Sequence, residues 1–122
     1  MKTFQITGGT YNCNTIIVHF GETKALIPHL LREGISESEA TEMYEGVDDN
    51  NSGLTSKFSN GVYALWFPEY ACTPQEEGVI AHECFHLVEY IFERIGIPLT
   101  SDTSESWAHQ LQYFVASIKK EL

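Results

Sequence analysis

The residues that most constrain this chain are Ala81-His82-Glu83-Cys84-Phe85-His86-Leu87, in which two histidines stand four apart with a glutamate directly after the first. On an α-helix, residues at i and i+4 lie one above the other on one face, so both imidazoles can reach a single metal ion. Each residue is turned about 100° from the one before, which sets Glu83 beside the histidine stripe and off it. A general base acting on a water next to the metal is wanted in that place. Neutral imidazole suits zinc, which lowers the pKa of a coordinated water to about 7. The competing explanation is coincidence of spacing in a chain with five histidines.

The flanking residues predict the helix. Thr73-Pro74-Gln75-Glu76 supplies an N-cap, a proline at the first helical position and the glutamate of a capping box. From Val79 on, the stretch is apolar nearly all round: Ile80, Cys84, Phe85, Leu87, Val88, Ile91, Phe92 and Ile95. Such a pattern predicts a helix buried in the middle of the domain, with His82, Glu83 and His86 needing partners there. Gly96 and Pro98 stop it. A last helix is predicted over residues 103–120, with Trp107, Ala108, Leu111, Phe114, Val115 and Ile118 as its inner stripe. Lys119 and Lys120 suit the negative end of its dipole.

The first half of the chain reads as a small sheet with short helices. Residues 2–7 and the β-branched run in residues 14–20 form a hairpin across Gly8-Gly9. Residues 22–34 read as a helix that is kinked by Pro28 or begins there, and that stops at Gly34. Ser36-Glu37-Ser38-Glu39 caps another helix, which runs to about Glu45. The polar stretch after it places Asp48, Asn50, Ser52 and Gly53 in a weak likeness of a calcium loop. Ser59 stands where the bidentate glutamate is required, so a solvated loop is the better reading. Asn60-Gly61 then joins residues 54–59 to residues 62–67 as a hairpin, ended by Pro68.

A catalytic zinc takes three protein ligands and keeps one position open. The positions three and six residues after His86 are Glu89 and Phe92, so an extended pattern with a glycine and a third histidine is absent. The best third donor is Glu105, 105 − 86 = 19 residues downstream in Ser104-Glu105-Ser106-Trp107-Ala108-His109, with Asp102 as fallback. The plainer role for Glu105 is the third residue of a helix cap starting at Asp102.

With these residues the chain resembles the gluzincin branch of the zincin metallopeptidases, its very small members above all. It is also similar to short phage-encoded proteins in which His-Glu-x-x-His precedes a Glu-containing helix rich in tyrosine. The resemblance spans residues 73–112, about a third of the chain, and is only architectural before that. It implies an α+β, minimal zincin-like domain over residues 1–122, with a small antiparallel sheet packed on the central helix. It implies zinc held by His82, His86 and Glu105, and hydrolysis of peptide bonds with Glu83 as base and proton shuttle. The family often carries an acid four residues after the third ligand to orient the first histidine. His109 stands there instead, and could orient, donate a hydrogen bond to an oxyanion, or do neither. The family also lays bound peptide along an edge strand before the active-site helix, and residues 62–67 occupy that place. The hydroxyls of Tyr90 and Tyr113 could approach the metal, although half-buried helix tyrosines usually serve packing. His19 and His29 are read as unrelated to the site, and Trp66 and Trp107 as core.

Composition narrows the partners. The chain has 122 residues, 43% of them hydrophobic, which is enough for one domain with a proper core. Seven Lys and Arg against seventeen Asp and Glu give a net charge of −10, which disfavours nucleic acid and anionic membranes. That charge leaves a cleft for basic substrates, an acidic decoy surface, or solubility alone, the simplest of the three. Cys13, Cys72 and Cys84 are odd in number and unpaired in spacing, as reduced thiols of a cytoplasmic protein would be; for a phage-encoded chain that is the host cytoplasm. No apolar leader or membrane-spanning run is visible. The expected partner is a peptide or protein substrate; substrate identity and oligomeric state are not legible. Two rivals stand beside the hydrolase: a binding module that keeps zinc as structure, and an acidic host-interaction protein in which the motif is incidental.

Overall fold

A computed structural model describes residues 1–11, 15–47 and 51–122. Cys13, the Asn14 start of the second expected strand, and Asp48 and Asn50 of the calcium-like loop lie outside the described residues. The rest is an α+β domain built in three layers. Strands β1 (Lys2–Ile6), β2 (Ile16–Phe20), β3 (Leu54–Lys57) and β4 (Tyr63–Phe67) form one sheet in the order β1-β2-β4-β3. Helices α1 (Ile27–Arg32) and α2 (Glu37–Glu45) cover one face, and α3 (Pro74–Ile95) and α4 (Ser104–Lys120) cover the other.

The side-chain period of two along a strand divides the core. Ile16, Val18 and Phe20 of β2, with Tyr63, Leu65 and Phe67 of β4, face α3 and α4. Their neighbours Ile17, Ala64 and Trp66 face Leu26, Leu30, Ala40 and Met43 under α1 and α2. Both central strands are therefore buried at every position, as strands covered on both faces must be.

The sheet is mixed, where an antiparallel one was expected. β1 pairs antiparallel with β2, and β3 with β4, but β2 and β4 run parallel from Ile16↔Tyr63 to Phe20↔Phe67. Parallel neighbours need a long crossover, and here it carries α1 and α2 over the sheet before β3 turns back. A second expectation fails with the first. The strand in residues 62–67 is not an edge, because β4 has β2 on one side and β3 on the other, so no peptide can add to it. The edges are β1 and β3.

Local signals for the helices are realised closely. Pro28 sits in the first turn of α1, preceded by a 3-10 turn over Thr23–Leu26. The Ser36 hydroxyl caps α2 by accepting from the Glu39 amide at 3.2 Å. Gly61, at φ 87°, supplies the left-handed residue that the β3–β4 hairpin requires.

Helix α3 does not run through the middle of the domain. It lies on the sheet with Ile80, Cys84, Leu87, Val88 and Ile91 turned inward. Phe85 (36% exposed) and Ile95 (44%) stand on its open side. The apolar residues around the rest of the helix mark a neighbouring helix: Trp107 of α4 packs against the rings of both Phe85 and Phe92.

Candidate metal centre

The first turn of α3 is fixed by the full capping box. Thr73 accepts from the Glu76 amide, and the Glu76 carboxylate accepts from the Thr73 and Ala71 amides at 3.0 and 2.8 Å. Hydrogen bonds from the Thr73 and Ala71 amides hold that carboxyl below the ordinary carboxylate range. Gly96 at φ 80° ends the helix, and the Ile97 amide donates back to the Phe92 carbonyl at 2.8 Å. With both ends fixed, the rotation of α3 on the sheet is set by its buried stripe. His82 and His86 then fall on the open side, His82 exposed and His86 partly covered.

The two imidazoles converge. Nε2 of His82 and Nε2 of His86 lie 3.2 Å apart. Two nitrogens bound at about 2.0–2.1 Å to one tetrahedral zinc stand roughly 3.3 Å apart, so the pair fits as two ligands of one ion. Two lone pairs meeting at this distance repel, and a proton or a metal ion between them removes the conflict. On the far side of His86, Nδ1 is 3.2 Å from Oε1 of Glu89.

Glu83 is buried, and its carboxylate turns toward the edge strand. Oε1 accepts from the Thr55 hydroxyl at 2.7 Å, and the same hydroxyl lies 3.0 Å from the Glu83 main-chain oxygen. The other oxygen, Oε2, is 3.9 Å from Nε2 of His82. One oxygen is anchored on β3 while the other is left beside the histidine pair. Gly53 makes room for this arrangement, since a Cβ there would come within 2.9 Å of Glu83 Cγ and 3.0 Å of a Val79 methyl. Directly beneath, Cys84 is fully buried, and burial together with the Glu83 charge pushes its thiol up to about 12. It is a core residue with no nucleophilic character at neutral pH.

The downstream candidates lie elsewhere. Trp107 packs between Phe85 and Phe92, and Lys119 reaches Glu77 and Tyr70, so α4 runs back antiparallel along α3. Two residues are about 200° apart on a helix, and with Trp107 turned inward, Glu105 faces out. Its side chain is 87% exposed, and its carboxylate pairs with Nε2 of His109 at 3.3 Å. Asp102 is exposed, and the N-cap of α4 is Thr103 rather than Asp102. Among the described residues no three His, Cys, Asp or Glu side chains are placed to hold one metal ion together. The structure thus unites His82, His86 and Glu83, and leaves Glu105 and His109 as a separate pair.

The remaining candidates have other partners. The Tyr113 hydroxyl is 2.8 Å from the Thr7 hydroxyl, and the Tyr90 ring lies under the Lys57 ammonium. His19 is fully buried between Thr3 and the Glu22 carbonyl, and His29 lies beside Arg32. Thr55, Gly53 and Glu89 carry roles that the sequence reading did not assign. A polar residue at an inward position of Leu54-Thr55-Ser56-Lys57 and a carboxylate three residues after His86 were the available signals.

No protein-family model, curated protein or solved structure matches the chain. Among the described residues, no helix is long and apolar enough to cross a membrane.

Proposed function

We propose that the protein is a zinc-dependent hydrolase of peptide bonds, with His82 and His86 as zinc ligands and Glu83 as general base. The observation that carries the reading is the convergence of the two Nε2 atoms at 3.2 Å beside a carboxylate with one anchored and one open oxygen. A zinc ion bound there supplies Lewis acidity to a carbonyl and acidity to a water. Glu83 Oε2 takes the proton of the attacking water and delivers it to the departing amine nitrogen. Thr55 keeps the carboxylate from turning away during both transfers. Glu105 remains the proposed third ligand, with His109 beside it, although its side chain here faces solvent in the pair with His109. An extended peptide adds to the free edge of β3, the strand that carries Thr55, through main-chain hydrogen bonds. The net charge of −10 favours a basic or neutral peptide there.

The test is cleavage of an unbiased peptide mixture by wild type and by Glu83→Gln at matched zinc occupancy. The amide cannot accept the proton, so hydrolysis is expected to fall by about 10²–10⁴-fold with zinc retained. Equal rates in the two proteins would remove Glu83 from the mechanism. Zinc held firmly by both proteins without any cleavage would favour the structural-zinc binding module instead.

A further inference from the structure

We infer that Glu89 is the positioning residue of the metal centre: its carboxylate holds the His86 proton on Nδ1 and thereby presents Nε2, bare, to the metal. The inference rests on the proposed role of His82 and His86 as ligands, and extends it to a residue outside the His-Glu-x-x-His motif. An ionised carboxylate only accepts hydrogen bonds, so the 3.2 Å contact between Glu89 Oε1 and His86 Nδ1 requires the proton on Nδ1. A neutral imidazole with that proton has its lone pair on Nε2, the atom that stands 3.2 Å from Nε2 of His82. The other tautomer would carry N–H on Nε2 and close the position to a metal.

The helix makes the contact in register. Residues three apart are neighbours on a helix surface, so Glu89 needs no loop or second element to reach His86. The contact also bears on the facing nitrogens in the metal-free protein. With His86 Nε2 bare, a hydrogen on His82 Nε2 would bridge the two nitrogens, and binding a metal through both would need that proton on His82 Nδ1 instead. Carboxylate partners of metal-bound histidines fix the tautomer, orient the ring and raise the basicity of the ligand nitrogen. Their loss typically costs about 10–100-fold in metal affinity. Both groups are partly open to solvent, with side chains 40% and 46% exposed, so the contact sets a ligand's direction without carrying the fold.

Two measurements on wild type, Glu89→Gln and Glu89→Ala test this. In the metal-free proteins near pH 8, nitrogen–proton correlation spectra report which ring nitrogen of His86 is protonated. The expected result is Nδ1–H in wild type, only partly retained in Glu89→Gln, whose amide can accept or donate, and shifted toward Nε2–H in Glu89→Ala. Zinc affinity, read by competition with a chelator, should fall about 10–100-fold in Glu89→Ala and less in Glu89→Gln. The metal-free unfolding midpoint should stay unchanged in both. His86 protonated on Nε2 in wild type, or an Ala variant with unaltered tautomer and affinity, would overturn the role of Glu89. Wild type that takes up no zinc defeats the metal reading instead, and the tautomer measurement on metal-free protein tells the two failures apart.

Discussion

The Thr55 hydroxyl of β3 donates to Glu83 Oε1 at 2.7 Å across a buried boundary, tying the edge strand to the helix that carries His82 and His86. The same hydroxyl lies 3.0 Å from the Glu83 carbonyl, so its single proton serves two acceptors of one residue, the shorter contact being to the carboxylate. Thr55→Val keeps the shape of the side chain and removes the donor. Leaving a buried acceptor unsatisfied costs about 1–3 kcal/mol. Urea unfolding should show that loss in Thr55→Val and recover most of it in Thr55→Ser. A neutral Thr55→Val would mean that water or another group satisfies Glu83.

Gly53 constrains the same carboxylate from the other side. A Cβ added there would stand 2.9 Å from Glu83 Cγ and 3.3 Å from Oε2, so Gly53→Ala must displace Glu83. Overpacking of this kind costs about 1–3 kcal/mol. The hydrolysis proposed above should fall with it, while zinc affinity, which depends on the neighbouring histidines, stays within a few-fold.

The core can be located by truncating two phenylalanines on one helix. Phe92 is fully buried, with the rings of Tyr11 and Trp107 packed edge-on against it, and Phe85 is 36% exposed on the open side. Phe92→Ala should cost about 3–5 kcal/mol, and Phe85→Ala about 1–2, since it removes less buried area. Equal costs would place α3 in the interior after all.

His19 sets a pH dependence. It is fully buried, with its Nε2 donating to the Glu22 carbonyl at 2.8 Å and its Nδ1 accepting from the Thr3 hydroxyl at 2.6 Å. Burial depresses its pKa below the usual 6.5, so the unfolded chain takes up the proton first as the pH falls. The stability tied to neutral His19 is therefore complete above about pH 6.5 and is lost progressively below it. Unfolding free energies in a titration from pH 8 to 5 should decline in wild type. The decline should be shallower in His19→Gln, and identical slopes would count against the assignment.

Much of this was legible in the residues. The capping box at Thr73, the proline start of α1, the Asn60-Gly61 hairpin and the convergence of His82 with His86 all depend on neighbours within a few positions, and the sequence states them directly. The parallel pairing of β2 with β4 depends on how the α1–α2 crossover returns over the sheet, which local patterning does not encode. The apolar circumference of α3 was ambiguous in the same way. Phe85 and Phe92 meet a second helix rather than a surrounding core, and hydrophobicity alone does not distinguish the two. Thr55 and Gly53 belong to the site only through tertiary approach, across 28 and 30 residues from Glu83.

The most direct test of the account is zinc stoichiometry in purified wild type, His82→Ala, His86→Ala, Glu105→Ala and the double histidine variant, measured after dialysis against a weak chelator. The account predicts one zinc per chain in wild type and loss of most of it in each single histidine variant. It predicts a smaller loss in Glu105→Ala, whose side chain stands in solvent against His109 rather than against the histidine pair. Full zinc retention in the double histidine variant would contradict it.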